Sequence, residues 1–290
     1  MRKIDEYFHN EVDKSLYHYT GIDSLVGMGE TKKLWASNVY YMNDSEEVIY
    51  ACKVLESVLK PRLVSPAKND PEIEFLKQFH EWINHFKYTV YNIFIFSLSE
   101  ESSLLSQWRS YTPHSKGVSI GFSPERLNFL AKHNKLRIAK CLYEKGDQEE
   151  ILNSLIEKLL ITFRKERPYS QPTLGFPQQR YHSFLEQFRG DILQILSIIK
   201  NSSFREEQEW RLISEYYPSY VTPEINFRQD ASMLVPYVEL YLGDDNPLFE
   251  EVILGPSQHQ NLSMAALSMF LSNKGLCNKT VNCSIPYREW

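Results

Sequence analysis

The chain has 290 residues, 42% of them hydrophobic and 24% charged, which is enough apolar material for one large domain or two and excludes a disordered or low-complexity protein. A formal net charge of -5 supplies no overall electrostatic footprint for nucleic acid or an anionic membrane surface. The longest apolar stretch, Tyr88 to Leu98, falls far short of the roughly 20 residues of a membrane-spanning helix, the first residues mix charges of both signs without a leader pattern, and the four cysteines make no CxxC pair, so the expectation is a cytoplasmic chain with reduced thiols, no membrane association and no metal centre.

In chain order, Leu16 to Thr20 (LYHYT) reads as a short strand, followed by a helix from about Asp23 to Glu30 and a second strand at Leu34 to Ser37 (LWAS). After the turn YMNDSEE, Val48, Cys52, Leu55 and Leu59 recur at helical spacing, with Asp44 or Ser45 as the natural N-cap. A further helix is expected over about Glu72 to Phe86. The run YNIFIFSLS carries no charge and is rich in β-branched and aromatic residues, the composition of a central strand buried on both faces. Leu104, Trp108 and Tyr111 then share one helix face, and strands are expected at 117–122 and 136–143.

From Glu149 to Ser203 the chain becomes strongly helical, with an amphipathic helix at its start, a second helix over Tyr181 to Ile199, and the loop RPYSQPTLGFP between them. Strands resume at Glu209 to Ser214, Met233 to Tyr241 and Val252 to Gly255, with a helix near Ser263 to Leu271 and a last strand at Val281 to Ile285. The pattern predicts a single α+β domain over 1–290, built on a mixed, split β-sheet with a helical insertion at about 149–203.

Several common chemistries are absent as motifs. With only 11 glycines the chain contains neither GxGxxG after a strand nor GxxxxGK[ST], so any nucleotide is held by other means. HExxH and GxSxG are missing as well. Four constellations remain. On the opening strand, His18 and Thr20 share one face and Tyr17 and Tyr19 the other. In NDSEE, helix capping accounts for Asp44 or Ser45 with a following glutamate but leaves Asn43, whose amide can meet a ligand. Ile93, Ile95, Ser97 and Ser99 alternate onto one side of their strand, an apolar face that turns polar where ligands sit in open sheets, and Trp108 and Tyr111 can stack on a planar ring. In REEQEWRL, Glu207, Glu209 and Arg211 project to one face, either as a solvated strand start or as one wall of an anionic-substrate cleft, and Trp210 and Leu212 to the core.

YHYT, LWAS followed by NDSEE, SQWRSY with GVSIGF, and EQEWRLI, in that order over about residues 16 to 255, resemble the successive motifs of a widespread uncharacterised bacterial domain-of-unknown-function family, which in turn distantly resembles the ADP-ribosyltransferase fold. That resemblance implies NAD as substrate, held at the ribose and nicotinamide by His18 and Thr20, with Ser97 or Tyr111 from a middle element and Glu209, preceded by Glu207, as the catalytic carboxylate. Tyr19 stands where those enzymes usually carry glycine.

The chemistry suits these side chains. Cleavage of the nicotinamide glycosidic bond passes through an oxocarbenium-like species that a carboxylate stabilises. Glu209 and His18 are therefore the expected catalytic pair, with Tyr19, Thr20, Asn43, Ser97, Trp108, Tyr111 and Arg211 around the ligand, Arg211 or Arg109 pairing with its pyrophosphate. Glu209 is expected to be exposed, so that its replacement by Gln leaves folding nearly unchanged. The acceptor of any transferred group stays open. Two other classes compete: a non-catalytic nucleotide-binding or sensor protein using the same cleft, and a metal-dependent nuclease with Asp44, Glu207 and Glu209 as ligands.

Overall fold

In the computed structural model, which describes residues 4–8, 11–42, 46–64, 70–113, 116–166, 181–230 and 232–285, the uncharged run at 91–99 supplies the strand around which the whole sheet is organised. Strands β1 (Leu16–Thr20) and β2 (Lys33–Asn38) flank helix α1 (Ile22–Thr31), and α2 (Glu47–Leu59) and α3 (Pro71–Phe86) lead to β3 (Phe94–Ser99). Then come α4 (Leu105–Tyr111), β4 (Val118–Phe122), α5 (Pro124–His133), β5 (Arg137–Lys140), and the helices α6 (Lys145–Glu166), α7 (His182–Glu186) and α8 (Arg189–Leu196). The chain closes with β6 (Glu209–Ile213), β7 (Ile225–Gln229), β8 (Leu234–Tyr241), β9 (Glu251–Leu254), α9 (Gln260–Asn273) and β10 (Thr280–Asn282).

One edge of β3 pairs along its length with β6, from Ile95 opposite Ile213 to Ser99 opposite Glu209. The other edge is shared. β1 meets it only at Ser99, and β2 only at Phe94 and Ile95, so no strand lies beside the stretch between. From this fork β1 continues into β4, β9 and β10, and β2 into β8 and β7; β5 adds to the far side of β6. All pairings are antiparallel except β9 with β10, which makes the sheet mixed as well as split.

Side-chain alternation on β3 sorts the molecule into two cores. Phe94, Phe96 and Leu98 face a core closed by Leu25 of α1, Leu127 of α5 and Leu267 of α9. Ile93 and Ile95 face the opposite core, where Leu55 of α2, Phe79 of α3, Leu155 of α6 and Ile195 of α8 converge. Helices α6, α7 and α8 therefore pack over the sheet in one core with α2 and α3. Each fully buried Phe or Leu in these layers stabilises the fold by about 1.5–3 kcal/mol relative to exposure. Helix α3 shows how the sequence sets this up: Asp70 accepts the Glu72 N–H at 2.9 Å, Pro71 sits in the first turn, and Phe75, Phe79, Ile83 and Phe86 repeat on the buried face.

The elements differ from expectation in four places. Helix α5 and strand β7 are additional. The helix expected over 181–199 is two short helices with a turn at Gln187–Phe188, and Gly190, a poor helix former, lies just beyond the break. The helix expected to open at Glu149 starts at Lys145. The proposed caps Asp44 and Ser45, and the loop RPYSQPTLGFP, lie outside the described residues. Among the described residues no helix is long and apolar enough to cross a membrane, and the four cysteines are unbridged.

A cleft in the split of the sheet

Where β1 and β2 diverge from β3, a cleft of about 530 Å³ opens. Ser97 lies at its floor, His18 and Thr20 of β1 form one wall, and Trp35 and Ser37 of β2 the other. Glu209, the first residue of β6, Glu207 from the turn just before it, and Tyr111 of α4 close one end, and Arg228 of β7 lines the other. Helix α1, which joins the two diverging strands, backs the gap through Ser24, Gly27 and Met28.

His18 fills the place a strand would occupy. Its Nδ1 lies 3.0 Å from the Ser97 carbonyl oxygen, and its ring packs on Phe96 with centroids 4.3 Å apart. Donation from Nδ1–H to that carbonyl satisfies a β3 group for which neither β1 nor β2 supplies a partner and directs Nε2 away from Ser97. Burial pushes the imidazole down to about 4, against the opposing pull of the Ser97 carbonyl, so His18 is neutral at pH 7. The Ser97 hydroxyl oxygen is buried and has no hydrogen-bond partner among the described residues, an available polar group at the cleft floor.

The acidic end rests on a chain of alternating charges. Glu209 is only 5% exposed and accepts from Arg211 Nε at 2.8 Å, from Arg211 Nη2 at 3.0 Å and from Lys200 Nζ at 2.5 Å. Arg211, fully buried, also donates to the Ser197 carbonyl and pairs with Glu47 at the start of α2. Lys200 reaches across to Glu207, and Glu207 in turn accepts from the Tyr111 hydroxyl at 2.9 Å. The backbone between the two glutamates is unusual: Ser202–Glu207 is a tight 3-10 turn and Gln208 adopts left-handed angles, φ 44° and ψ 49°. That geometry is uncommon for a side-chain-bearing residue, and it lets both carboxylates meet the same ammonium.

Burial alone would raise Glu209, but the Arg211 and Lys200 charges hold it well below the usual carboxylate range. Glu47 goes the other way. Burial raises it, and the nearby Glu209 charge adds to this, against the opposing pull of Arg211. Burial would lower Lys200, yet the adjoining Glu209 holds it above its ordinary value, so it remains an ammonium. The Tyr111 hydroxyl is pushed up by burial and by Glu207, and stays protonated as a donor.

Of the expected residues, His18, Thr20, Ser97, Tyr111, Glu207 and Glu209 all line this one cleft. Others do not. Trp108 is fully buried, packed edge-on against Tyr19 at 4.9 Å, and has no ring face open to a ligand. Tyr19 borders the cleft but spends its hydroxyl on the protein, donating to Glu101 O at 2.6 Å and accepting from Leu104 N at 2.9 Å. Arg211 cannot meet a pyrophosphate, since its guanidinium is enclosed behind Glu209; Arg109 is exposed and not part of the cleft wall. Glu209 is buried rather than exposed, which overturns the expectation that its replacement is neutral for folding. Asn43 lies outside the described residues.

The nuclease donor set does not fit. Lys200 occupies the space between Glu207 and Glu209, Asp44 lies outside the described residues, and among the described residues no three His, Cys, Asp or Glu side chains group as a metal site. Sequence reasoning missed Lys200, Trp35 and Arg228. For Trp35 a signal existed: in KLWASN the alternation buries Leu34 and Ala36 and leaves a tryptophan on the other face. Lys200 sits between helix and turn in a segment without periodicity, so only tertiary structure brings it to the glutamates.

Residues 107–212 match the family described as a protein of unknown function, DUF2971. The match is narrower than the 16–255 expected and reaches neither the YHYT nor the LWAS segment. No curated protein and no solved structure matches the chain.

Proposed function

We propose that the cleft binds NAD or a closely related nucleotide and that the chain cleaves its nicotinamide glycosidic bond, in the manner of an ADP-ribosyltransferase or NAD glycohydrolase. The observation that carries this reading is the convergence of His18, Ser97, Tyr111, Glu207 and Glu209, drawn from four separate stretches of sequence, on one cleft in a split sheet. Glu207 and Glu209 present their carboxylates to the cleft while Arg211 lies behind them. As the C1′–N1 bond breaks, its electron pair leaves with neutral nicotinamide and positive charge grows on the ribose, next to this anionic wall. Glu209, held ionised, acts as a fixed charge and not as a proton donor. Neutral His18 and the Ser97 hydroxyl hold ribose hydroxyls.

A second reading, binding without turnover, is favoured by one feature: both Glu209 oxygens are already engaged by cations, which weakens the field it exerts on a ligand. Nicotinamide release separates the two. Wild type is expected to release nicotinamide from NAD, and Glu209→Gln to do so roughly a hundredfold to a thousandfold more slowly, with a stability loss of about 1–3 kcal/mol from the hydrogen bonds removed. NAD at a hundred times its dissociation constant should stabilise the wild-type fold by about 2.7 kcal/mol, read as a raised melting temperature. Stabilisation without nicotinamide release supports the sensor reading, and no stabilisation by NAD would falsify both.

A further inference from the structure

The cleft is not chemically uniform along its length. Its β6 end carries Glu207 and Glu209, whereas on β2 and β7 it is aromatic and cationic. Trp35 is 50% exposed there and packs against Tyr237 with ring centroids 4.5 Å apart at 30°. Half of a tryptophan left open on a cleft wall is a stacking surface that folding has not used. Two basic side chains line this end. Lys33 is neutralised by Glu239 at 2.6 Å, but Arg228 forms no hydrogen bond or ion pair among the described residues. Arg228 stands opposite Val235 on β8, two residues along from Tyr237 and on the same face of the sheet.

Register gives the scale. From β6 through β3, β2 and β8 to β7 there are four strand spacings of about 4.8 Å, roughly 19 Å across the strands, and the register sets Arg228 further from Glu209 along them. That span suits an elongated ligand with a cationic group at one end and an anionic group beside a planar ring at the other.

We infer that Trp35 and Arg228 form the subsite for the phosphorylated, base-bearing end of the ligand, Arg228 pairing with a phosphate and Trp35 stacking on the base, so that this end of the ligand lies on the β2–β7 side of the split. This rests on the nucleotide reading of the same cleft and deepens it: the ligand class becomes a phosphorylated nucleoside whose sugar is substituted at the far end. An arginine free of carboxylates is suited to this because its fork of donors matches two phosphate oxygens.

The test is calorimetric titration of the full chain with NAD, ADP-ribose and adenosine, the last having the base but no phosphate. Wild type is expected to bind all three, adenosine most weakly. Arg228→Gln should weaken NAD and ADP-ribose about tenfold to a hundredfold and adenosine less than about twofold. Arg228→Lys, which keeps the charge but not the fork, should fall between. Trp35→Ala should weaken all three by about fivefold or more. A melting temperature within a few degrees of wild type confirms that each variant is folded. ADP-ribose binding unchanged by Arg228→Gln overturns the subsite, as does equal weakening of adenosine and ADP-ribose. If these losses are seen but NAD is never cleaved, the subsite stands and the glycosidic-bond reading fails. If NAD is cleaved and both variants bind like wild type, the reverse holds.

Discussion

The two ends of the cleft solve the problem of carrying charge in opposite ways. At the β6 end every charge has a protein partner before any ligand arrives: Glu47, Arg211, Glu209, Lys200 and Glu207 alternate in sign, and the inner four are buried. At the β7 end Arg228 and Trp35 stay partly in solvent, with their binding capacity unspent. Internal pairing gives fixed geometry at the cost of field strength, because each carboxylate is already compensated. Leaving groups unpaired keeps their interaction available to a ligand and contributes nothing to folding. The acidic end is therefore tied into the architecture of the fold, whereas the cationic end is left open to solvent.

The sharpest way to break this contrast is Arg211→Met. It leaves Glu47 and Glu209 buried without their shared cation, and a loss of about 3–5 kcal/mol in urea unfolding is expected. A loss below about 1 kcal/mol would show that the network relaxes into water and that the two ends do not differ in kind.

Acidification should act first through His18 on β1, with a smaller and graded effect. His18 has a folded value depressed to about 4 from an unfolded one near 6.5, so the unfolded chain binds the extra proton between those limits and stability falls as pH drops from about 6.5 to about 4. Glu209, depressed as well, adds a loss that begins below its unfolded value of about 4.3. Unfolding free energies at several pH values should show the first slope reduced in His18→Gln, while the loss below about 4.3 persists. The smallest effect belongs to the β7 end: Trp35→Ala should change unfolding free energy by no more than about 0.5 kcal/mol, because half of the ring is already in water. A loss of 2 kcal/mol there would make Trp35 a structural residue and blur the distinction.

Much of this was legible in the chain. The alternation at 93–99 announced a face that turns from apolar to polar, and Ser97 and Ser99 do line the cleft above Ile93 and Ile95. Trp210 and Leu212 sit in the core opposite Glu209 and Arg211, as period-two alternation requires. Partnership was not legible. Nothing local in REEQEWR tells that Arg211 turns inward to two glutamates, or that Lys200, in a turn after α8, supplies the cation between Glu207 and Glu209. Helix α5 escaped notice although Ser123 accepts the Arg126 N–H at 3.3 Å and Pro124 opens its first turn, because charged residues interrupt its apolar positions. Strand β7, only half-buried at an edge, lacks the apolar run that marks β3.

The pairing of β3 with β6 also dictates when a site can exist. Ser99 and the Glu207 carbonyl, hydrogen-bonded at 2.8 Å, are 108 residues apart in the chain, and β4 pairs with β1 on one side and β9 on the other. A chain emerging from the ribosome therefore carries His18 and Ser97 through the synthesis of α4, α5 and the helices α6 to α8 before the strand that closes the acidic end of the cleft has been made. Closing so long a loop is slow compared with forming helices. The segment 107–212 expressed by itself would hold Tyr111 and Glu209 but lack β3, the strand on which they are assembled.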